Sequence, residues 1–520
     1  MFPYALIPTA ATLSEWADLA TVTLYFLVIA AMSVHGAHRM SLIRSYLRLR
    51  NVAQPQPRDP AEWPRVTVQL PVYNERFVVE SLLEAACRLD YPREKLDIQA
   101  LDDSTDETAR IARRAVERLA AAGHPIRYLH RSDRTGYKAG ALAVGLAQAK
   151  GELIALFDAD FSPAPDFLRR IVPHFADPSV GCVQARWEYR NREESLLTRV
   201  QGMLLDAHFV VEQVARSRSG LFFNFNGTAG VLRRAAIEQA GGWQHDTLTE
   251  DTDLSYRAQM RGWRFVYLPE LAVESELPAQ VASFQTQQAR WAKGLVQTGL
   301  KLLPQLWTAE LPRRVKIEAL LHFSANASYP LMALLAALIT PAALIRAEAG
   351  SVGMLALDAL FFLTTFGSLA AYYLLPRFAL RGQLQWRDFA LLPAALACGV
   401  GLISSNSRGV LEALSGIETP FERTAKLSAS SESARLARAL YGIRRAWIAW
   451  ANLLAAALLG LGLFTLVQGQ VWPSVPFLTL FLCGFAYSGL LALWQGADRA
   501  AYGVSPGIRF RRQPVRESAC

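Results

Sequence analysis

The chain has 520 residues, of which 52% are hydrophobic and 19% are charged, and this length predicts roughly two to four domains. Its formal net charge of +9 could indicate nucleic-acid binding. However, the later basic residues lie beside long apolar runs, where positive charge sets membrane orientation and contacts anionic lipid. Composition and charge therefore argue against nucleic acid as a partner and predict a soluble domain inserted in a protein of the lipid bilayer.

The cysteines indicate neither a disulfide framework nor a zinc site, because they are scattered and show no C-x-x-C spacing. We expect most of them to be small buried hydrophobic side chains. They are Cys87, Cys182, Cys398, Cys483 and Cys520.

The first apolar run covers residues 19–34, and basic residues follow it. No Lys or Arg precedes this run, so it lacks the charged start of a cleaved signal peptide. The positive flank predicts a permanent transmembrane helix in residues 1–50, with the N-terminus outside and the other end in the cytosol. Residues 51–64 are rich in Pro and Gln and are predicted to be a linker.

Residues 65–275 alternate between β-rich runs and helical stretches. This alternation implies right-handed βαβ units around a parallel sheet that is covered on both faces. In such an α/β domain, ligands bind at the carboxyl ends of the strands. The predicted strands are residues 66–70, 98–101, 126–129, 153–157 and 180–184, and the predicted helices are residues 75–89, 106–122 and 138–150.

An acidic pair follows the fourth predicted strand, in IALFDADF. Because a strand places residues i and i+2 on one face, the carboxylates of Asp158 and Asp160 can reach one cation. Oxygen ligands suit Mg²⁺ or Mn²⁺, which keeps coordination sites open for phosphate. The spacing therefore indicates a site for a nucleotide diphosphate, although such pairs are also common as surface residues.

The second predicted strand ends in LDDSTDET. Asp102 and Asp103 could accept hydrogen bonds from a ribose or a nucleobase at this strand end. Alternatively, Asp102, Ser104 and Asp106 cap the next helix, as Asp and Ser often do. Because a cap needs only one of these residues, both roles can hold.

The segment RTGYKAGAL places small residues around Lys138 at a helix start. Gly136 and Gly140 let the backbone approach a ligand, and a helix N-terminus with a nearby ammonium favours phosphate. The alternative is a solvated lysine on a surface helix.

Two later segments suggest a surface for a substrate. In FNFNGTAG the glycines allow close approach of a substrate, although a plain tight turn fits nearly as well. In TLTEDTDLS, Asp251 is the candidate general base for a hydroxyl. The alternative there is a capping box formed by Thr249 and the acids.

A last strand is predicted at WRFVYLPE, and the helix that follows it contains QTQQARWAKG. Arg290 can bridge a pyrophosphate with its planar guanidinium, and Trp291 offers an apolar face to a sugar ring. On composition alone this is a helix with one aromatic residue.

In these motifs, taken in order, the chain resembles the inverting family 2 glycosyltransferases of GT-A fold. The likeness is closest to the cellulose synthase-like A proteins of plants, which are mannan and glucomannan synthases, and to their bacterial relatives. It implies an α/β GT-A (nucleotide-diphospho-sugar transferase) domain inserted in an all-α membrane domain of several spans. It covers about half of the chain, from residue 66 to residue 302, in RTGYKAGAL, FDADF, VQARW, FNGTAG, AGGW, EDTDLS, GWRFVY and QQARW.

The resemblance assigns the donor side residue by residue. It implies a single inverting displacement at the anomeric carbon, with a metal and cations stabilising the leaving diphosphate. Mg²⁺ or Mn²⁺ would be held by Asp158 and Asp160. The residues implied to bind the nucleotide sugar are Tyr73, Glu75, Asp102, Asp103, Lys138 and Asp158.

The resemblance also assigns the acceptor side. Asp251, beside Glu250 in the T-E-D triplet, is implied as the base that deprotonates the acceptor hydroxyl. The residues implied to hold the donor diphosphate and the acceptor end are Gln287, Arg290 and Trp291 of Q-x-x-R-W. The residues of the acceptor-side loop are Asn226, Gly227 and Thr228.

A second likeness lies in PFERTAK, which resembles the F-x-V-T-x-K gating loop of bacterial cellulose synthase. The matching residues are Phe421, Thr424 and Lys426, whereas Arg423 replaces the valine. The likeness implies a mobile loop that inserts over bound nucleotide.

Five apolar runs follow the soluble domain, at residues 325–345, 352–375, 389–403, 446–467 and 475–494. If all five crossed, the basic residues of 406–445 would lie outside, whereas positive loops favour the cytosol. The third run is also the shortest and contains Pro393, Gly399 and Gly401. We therefore predict an interfacial helix there, five spans in all, and a cytosolic basic tail.

The predicted organisation has two further parts. Residues 276–324 form interfacial helices with the Q-x-x-R-W motif. Residues 325–520 form the membrane domain, with the interfacial helix at about 386–415 and the gating-like loop at about 418–430. The catalytic domain and the C-terminus are predicted to be cytosolic, in a plasma or a Golgi membrane depending on the host. The Ala- and Arg-rich composition favours a bacterium and hence its inner membrane.

The predicted function is processive synthesis of a β-linked glucan, mannan or glucomannan from UDP-glucose or GDP-mannose, coupled to export of the growing polysaccharide. The alternative enzyme adds one sugar to a lipid. A transporter or scaffold with an inactive transferase domain is a third reading, against which the intact acids and Arg290 argue. Donor, linkage and partner subunits stay open.

Overall fold

The computed structural model describes residues 13–52, 57, 59–350, 352–419 and 446–501. Within these residues, a seven-stranded sheet with helices on both faces is joined to a bundle of long apolar helices. The strands are β1 (Val66–Val72), β2 (Leu96–Asp102), β3 (Ile126–His130), β4 (Leu153–Leu156), β5 (Val180–Tyr189), β6 (Gly230–Arg233) and β7 (Arg264–Ser275).

The sheet has the order β3-β2-β1-β4-β6-β5-β7. All five strands listed from the sequence are present, but the prediction of a parallel sheet is wrong at β6, which runs antiparallel to β4 and β5. The reason lies in the preceding loop, where the N–H of Ala229 donates to Leu156 O at the carboxyl end of β4. A strand that begins at this edge must run back in the opposite direction.

Helices connect the strands, and their bounds are shorter than the sequence patterns by a few residues. The turn after β1 delays the second helix to Val79, because Asn74 adopts a left-handed conformation with φ 55°. The helices of this part are α1 (Leu13–Leu49), α2 (Val79–Cys87), α3 (Thr108–Ala121), α4 (Tyr137–Ala147), α5 (Phe167–Ile171), α6 (Leu196–Asp206), α7 (Gln213–Arg218), α8 (Arg234–Gln239) and α9 (Glu250–Met260).

Two hydrophobic cores cover the two faces of the sheet. Successive strand residues point to opposite faces, so Leu153 and Ala155 of β4 join the core with α2 and α3, while Ile154 and Leu156 join the core with α4. This burial on both faces explains why β4 reads as a continuous apolar run rather than an alternating one.

The N-terminal helix links the membrane part to the catalytic part. α1 is one continuous helix of 37 residues, and its last turns pack Leu42, Ile43 and Tyr46 into the core on the α4 side of the sheet. The guanidinium of Arg218 donates to the carbonyls of Leu49 at 2.9 Å and of Arg50 at 2.7 Å. These bonds satisfy carbonyls at the helix end that have no partner within the helix.

The long helices after the sheet are mostly apolar. They are α10 (Val281–Thr308), α11 (Arg313–Ser324), α12 (Ser328–Glu348), α13 (Val352–Arg381), α14 (Trp386–Gly401), α15 (Ile403–Leu414), α16 (Ala446–Gln468) and α17 (Val475–Ala501). By length and composition, four helical segments among the described residues can cross a membrane, and a fifth if the bent pair α14 and α15 counts as one span. The length and apolar composition of these helices thus indicate a membrane protein.

The span count remains a prediction. The clear candidates are Ser14–Leu49, Arg313–Glu348, Trp447–Gln468 and Trp472–Gln495. The predicted span at residues 352–375 falls in α13, where several side chains lie outside the described part of the chain. The run predicted as an interfacial helix is α14, which meets α15 at a bend of 41°.

We expect Gly145→Ala to destabilise the protein by about 1–3 kcal/mol, because overpacking strains a well-packed core. A Cβ at Gly145 would lie 2.5 Å from Gln69 Nε2 and 2.8 Å from Gln99 Oε1, on the hydrogen bond that joins β1 to β2. Thermal unfolding in detergent measures the effect. The matched control is Gly367→Ala, an exposed helical position with nothing within 4 Å, and equal melting temperatures for both variants would contradict the packing argument.

Candidate active site

A cleft of about 120 Å³ opens at the carboxyl ends of β1, β2 and β4. Residues from separate motifs meet there, as the strand-end rule requires. The sequence-predicted residues that line it are Tyr73, Glu75, Asp103, Lys138, Asp158, Asp160, Gln287 and Arg290.

The two neighbouring acids after β2 have different positions. Asp103 lines the cleft and receives both a 2.7 Å and a 2.5 Å hydrogen bond from the guanidinium of Arg131. Asp102 is buried, does not line the cleft, and accepts hydrogen bonds from Tyr128 OH at 2.5 Å and from the N–H of Ser104 at 3.0 Å. Asp103 is therefore the acid of this pair that faces a ligand in the cleft.

The helix-capping alternative holds only in part, because Glu107, the residue before α3, makes no side-chain capping hydrogen bond and Asp106 contacts the helix start instead. Asp106 Oδ1 accepts the N–H of Thr108, the first residue of α3, at 2.9 Å. The segment LDDSTDET thus supplies a helix start and a cleft carboxylate from different residues. The sequence left both roles open, and one did not exclude the other.

Lys138 lies at the centre of the charged groups. Its Nζ is 2.6 Å from Asp158 Oδ1 and 3.9 Å from Glu250 Oε1, and it donates to Gly227 O at 2.9 Å. Burial lowers the pKa of Lys138, but the carboxylates of Asp158 and Glu250 outweigh burial and raise this pKa above its usual value. The side chain is therefore a permanent ammonium and not the solvated surface lysine of the alternative.

The D-x-D pair does not lie on a strand. β4 ends at Leu156, and the two acids occupy a turn in which the N–H of Phe161 donates to Asp158 O at 2.9 Å. The argument from strand alternation is therefore wrong, and the turn brings both residues to the cleft instead. Neighbouring hydroxyls hold the turn. The N–H of Asp158 donates to Thr228 Oγ1 at 2.9 Å, and the hydroxyl of Ser275 donates to Asp160 Oδ2 at 3.0 Å.

These two carboxylates fit a hard divalent cation. Among the described residues, no cluster of three or more His, Cys, Asp or Glu side chains could hold a metal by itself. Mg²⁺ and Mn²⁺ need no such cluster, because one or two carboxylates with phosphate oxygens and water complete their coordination. Asp158 and Asp160 could therefore hold a cation together with a bound diphosphate.

Asp251 faces a second, larger cavity of about 410 Å³. Burial and the neighbouring carboxylate of Glu250 raise the pKa of Asp251 from 3.8 to about 7, while Lys138 and the N–H of Thr252 oppose this rise. Part of the surface of Asp251 stays exposed, because the residue lines the cavity. Its surroundings are nevertheless enclosed by protein, which explains the effect on its pKa.

The start of α9 is held by α10 rather than by a capping box. Thr249, the residue before α9, makes no capping hydrogen bond, and its hydroxyl lies 3.1 Å from that of Thr298. At Gly294 a Cβ would lie 2.6 Å from Thr249 Cγ2, so only glycine permits this approach. The contact brings Asp251 close to the Q-x-x-R-W helix.

The acceptor-side loop forms the border between cleft and cavity. Gly227 has φ 79°, and a Cβ there would lie 2.8 Å from Asp251 Oδ2 and 3.4 Å from Lys138 Nζ. Asn226 lines the cavity and receives a 2.6 Å hydrogen bond from Gln213 Nε2. The glycine is thus required for close approach of protein groups, and the plain-turn alternative does not account for that contact.

The Q-x-x-R-W motif contributes to both spaces. Gln287 and Arg290 line the cleft, whereas Trp291 lines the cavity with Asp251. Burial lowers the pKa of Arg290, opposed by the carboxylates of Glu250 and Asp158, and a guanidinium stays charged in any case. A single helix therefore presents a cation to the cleft and an aromatic face to the cavity.

The gating-like residues Phe421, Thr424 and Lys426 lie outside the described part of the chain. The described segment that leads to them is held by Lys293 of α10. Its Nζ donates to Ile417 O at 2.6 Å and to Thr419 Oγ1 at 2.9 Å. The role of the loop stays a prediction.

Sequence reasoning missed two groups of residues. Arg134 lines the cleft, 3.3 Å above the ring of Tyr73, and its place at the start of RTGYKAGAL could have indicated it. The polar residues of the cavity gave no such signal, because they come from α1, α6, α7, α11 and a π-helical turn at Ala207–Glu212, none of which carries a short motif.

Comparison with known proteins places these features in a family. Residues 64–294 match the family described as "Glycosyltransferase like family 2". The chain is 47% identical over 251 residues to glucomannan 4-beta-mannosyltransferase 2 of Arabidopsis thaliana, which covers 47% of this chain and 47% of that protein. It is 46% identical over 249 residues to glucomannan 4-beta-mannosyltransferase 1 of Oryza sativa subsp. japonica. This match covers 47% of this chain and 48% of that protein.

The chain therefore spans about half the length of the curated relatives it matches. Among solved structures, the mannosyltransferase PcManGT from Pyrobaculum calidifontis, in complex with GDP-Man and Mn²⁺, is similar at a TM-score of 0.50 and 26% identity. This likeness covers 69% of this chain and 100% of that chain. The matches confirm the resemblance and the GT-A fold that the motifs predicted.

We expect Asp251→Asn to stabilise the protein more at pH 8 than at pH 5. Because the pKa of Asp251 is raised in the fold, its contribution to stability is present below the unfolded pKa and is lost as the pH rises through about 7. A pKa difference of this size corresponds to at most about 4 kcal/mol. Thermal unfolding of both proteins at the two pH values measures it.

The control for this experiment is Asp90→Asn, which changes an exposed carboxylate. It should show no comparable dependence on pH. An Asp251→Asn variant with the same advantage at pH 5 and pH 8 would contradict the raised pKa.

Proposed function

We propose that the protein is a membrane-embedded inverting glycosyltransferase, since residues 64–294 match the family described as "Glycosyltransferase like family 2". Its product would be a β-linked polysaccharide, and its donor GDP-mannose or UDP-glucose. Because the curated relatives are matched over about half their length, the activity of the whole protein, its substrates and its partners belong to this proposal.

One observation carries the proposal, namely that a cleft and a cavity lie on either side of Gly227. The carbonyl of Gly227 binds Lys138 of the cleft, and a Cβ at this position would lie 2.8 Å from Asp251 Oδ2 of the cavity. The cleft collects the groups suited to a diphosphate, including Lys138 and Arg290, at the strand ends. The cavity collects Asp251 and Trp291 between the domain and the membrane helices. A donor in the cleft and a hydroxyl acceptor in the cavity would then approach each other at the border formed by Gly227.

The residues at this border suit the chemistry. Asp251, with a pKa of about 7, can take the proton of an acceptor hydroxyl, since a general base works best when its pKa lies near the working pH. Lys138 and Arg290 can stabilise the negative charge of the departing diphosphate in a site that excludes bulk water. Inversion follows if the acceptor oxygen attacks the face of the sugar opposite the diphosphate.

The proposal includes a divalent cation bound next to the diphosphate. Asp158 and Asp160 would hold Mg²⁺ or Mn²⁺ with the diphosphate, and a bound cation would supply further stabilisation of the leaving charge. Lys138 lies 2.6 Å from Asp158, so its ammonium would neutralise part of the charge on the same side of the cleft.

The comparisons favour mannose as the transferred sugar. The two plant relatives are named glucomannan 4-beta-mannosyltransferases, and the solved structure contains GDP-Man. We therefore propose GDP-mannose as the first donor to test and a β-1,4-linked mannan or glucomannan as the product. UDP-glucose remains the second donor.

The cavity also supports export of the growing chain. It shares His35, Arg39, Ser328 and Tyr329 with a further cavity of about 460 Å³ between α1, α12, α13, α14 and α17. A polysaccharide end that leaves Asp251 would have a continuous route among the membrane helices. The cytosolic orientation of the domain and a bacterial inner membrane are part of the same proposal.

The test is sugar transfer by the purified full-length chain in detergent. Radiolabelled GDP-mannose and UDP-glucose are offered separately, each with Mg²⁺, with Mn²⁺ or with EDTA, and the product is sized. We expect label from GDP-mannose in a large product that a β-mannanase digests, and loss of transfer in EDTA. Label confined to a small, solvent-extractable lipid would support the glycolipid alternative, which the apolar cavity of the membrane helices allows.

We expect transfer to increase with pH from 6 to 8 and to level off above about 7, because Asp251 must lose its proton to act as a base. Asp251→Asn should lower the rate by about 10²- to 10⁴-fold. Binding of GDP-mannose, measured by calorimetry, should be retained in the variant, since Asp251 lines the cavity and not the cleft. Transfer at the wild-type rate would remove the assignment of Asp251 as the base.

A further inference from the structure

The acceptor-side loop lies against three charged groups of the proposed reaction. The carbonyl of Gly227 accepts from Lys138 Nζ at 2.9 Å, and a Cβ at Gly227 would lie 2.8 Å from Asp251 Oδ2. The next residue, Thr228, accepts from the N–H of Asp158 at 2.9 Å. A small movement of this loop would therefore displace Lys138, Asp158 and Asp251 relative to one another.

The first residue of this loop, Asn226, is held by its side chain. Gln213 Nε2 donates to Asn226 Oδ1 at 2.6 Å and to Asn224 O at 3.1 Å. Because a backbone carbonyl can only accept, the contact with Asn224 O identifies the amide nitrogen of Gln213. The oxygen of Asn226 thus faces Gln213, and its nitrogen is the donor to His208 Nε2 at 3.0 Å.

These hydrogen-bond directions determine which nitrogen of His208 carries a proton. Its Nε2 accepts from Asn226, so the ring proton lies on Nδ1, which is 3.2 Å from Glu212 Oε2. Burial alone would raise the pKa of Glu212, but the guanidinium of Arg216 and the hydrogen bond from His208 outweigh burial and hold this pKa well below its usual value. Glu212 is therefore a carboxylate that accepts the Nδ1 proton, and His208 is a neutral ring with a fixed tautomer.

The π-helical turn at Ala207–Glu212 accounts for this geometry. In a π-helix the backbone hydrogen bonds join residues five apart, and here the N–H of Gln213 donates to His208 O. The wide turn places the side chains four and five residues later, Glu212 and Gln213, beside the same histidine ring. Such turns occur often at functional sites, and the proposed chemistry gives this one no role.

Neighbouring helices hold the other end of this series of hydrogen bonds. The hydroxyl of Tyr372 in α13 donates to Glu212 Oε1. Arg216 of α7 donates to Glu212 Oε2 at 3.1 Å and to Glu318 of α11 at 2.8 Å. Hydrogen bonds to a charged group are stronger than neutral ones. Glu212 is therefore fixed from outside the π-helical turn, and His208 connects it to the acceptor-side loop.

We propose that His208 is a positioning residue for sugar transfer. Through its hydrogen bond to Asn226 it holds the adjoining Gly227 in place. The carbonyl of Gly227 and its lack of a side chain then set the spacing between Lys138 and Asp251. The inference rests on the proposed function and makes it more specific, because it assigns an effect on the rate to a residue that lies outside every motif of the sequence.

The test compares two substitutions that differ in which hydrogen bond they keep. In His208→Gln the amide oxygen can take the place of Nε2 and accept from Asn226. The shorter amide of His208→Asn can donate to Glu212 but does not reach Asn226. The matched control is His124→Asn, which changes a histidine just before β3, at the opposite edge of the sheet from the cleft.

Transfer from GDP-mannose is measured with the full-length chain in detergent, and calorimetric titration with GDP-mannose counts the folded sites. We expect His208→Asn to lower kcat per site about tenfold to a hundredfold, because a displacement of about 1 Å at reacting groups can cost this much. KM for GDP-mannose should change less than about threefold, since His208 does not line the cleft. His208→Gln should keep kcat within about threefold of the wild type, and His124→Asn should change neither constant.

A second measurement does not depend on activity. In protein that contains ¹⁵N-labelled histidine, the nitrogen chemical shifts distinguish a proton on Nδ1 from one on Nε2, and the signals of His208 are those missing from the spectrum of His208→Gln. We expect a proton on Nδ1 and none on Nε2. A purely structural role would instead lower the number of folded sites in both substitutions without separating their kcat values.

Wild-type kcat in His208→Asn would overturn the inference, and so would an equal loss in both substitutions or a proton on Nε2 of His208. Failure of the proposed function is distinguishable from these outcomes. A wild-type protein that binds GDP-mannose but transfers no sugar contradicts the proposed function and the role in transfer together. Sugar transfer by the wild type without a difference between the two substitutions contradicts only the role of His208.

Discussion

The ammonium of Lys138 joins the parts of the site that would otherwise repel one another. It lies between the turn that carries Asp158, the carbonyl of Gly227 and the first residue of α9, Glu250. Carboxylates this close in a poorly hydrated region repel strongly unless a cation lies among them. Burial and the carboxylate of Glu250 still leave Asp251 with a raised pKa of about 7, so Lys138 offsets only part of the cost of bringing these acids together.

Close approach of backbone segments makes this arrangement possible. Glycine at position 227 admits the Asp251 carboxylate, and glycine at position 294 admits Thr249 against α10. At Gly409, α15 comes within 2.7 Å of Ala289 O of α10, measured from the position of a Cβ. Hydrogen bonds of α10 to its neighbours, such as that from Gln285 Nε2 to Ser488 Oγ at 2.8 Å, add to this close packing.

The catalytic domain and the membrane helices share walls and are not joined by a linker alone. α1 runs without a break into the core beside α4, and its His35 lies 3.0 Å from Ser324 O of α11. In the same region Arg216 of the domain bonds Glu318 of α11 at 2.8 Å. The cavity at Asp251 is lined by these elements together with the domain, so its shape depends on the membrane part.

The sequence by itself determined the strands β1 to β5, the GT-A class and most residues of the cleft. Local patterns suffice there, because each motif follows a strand and parallel strands end at one edge. Only the tertiary structure decided that β6 runs antiparallel, that Asp158 and Asp160 occupy a turn, and that Asp103 rather than Asp102 faces the cleft. The place of Gln201 at the cavity was unreadable for the same reason, since its environment comes from segments far apart in the chain and side-chain partners are set by packing.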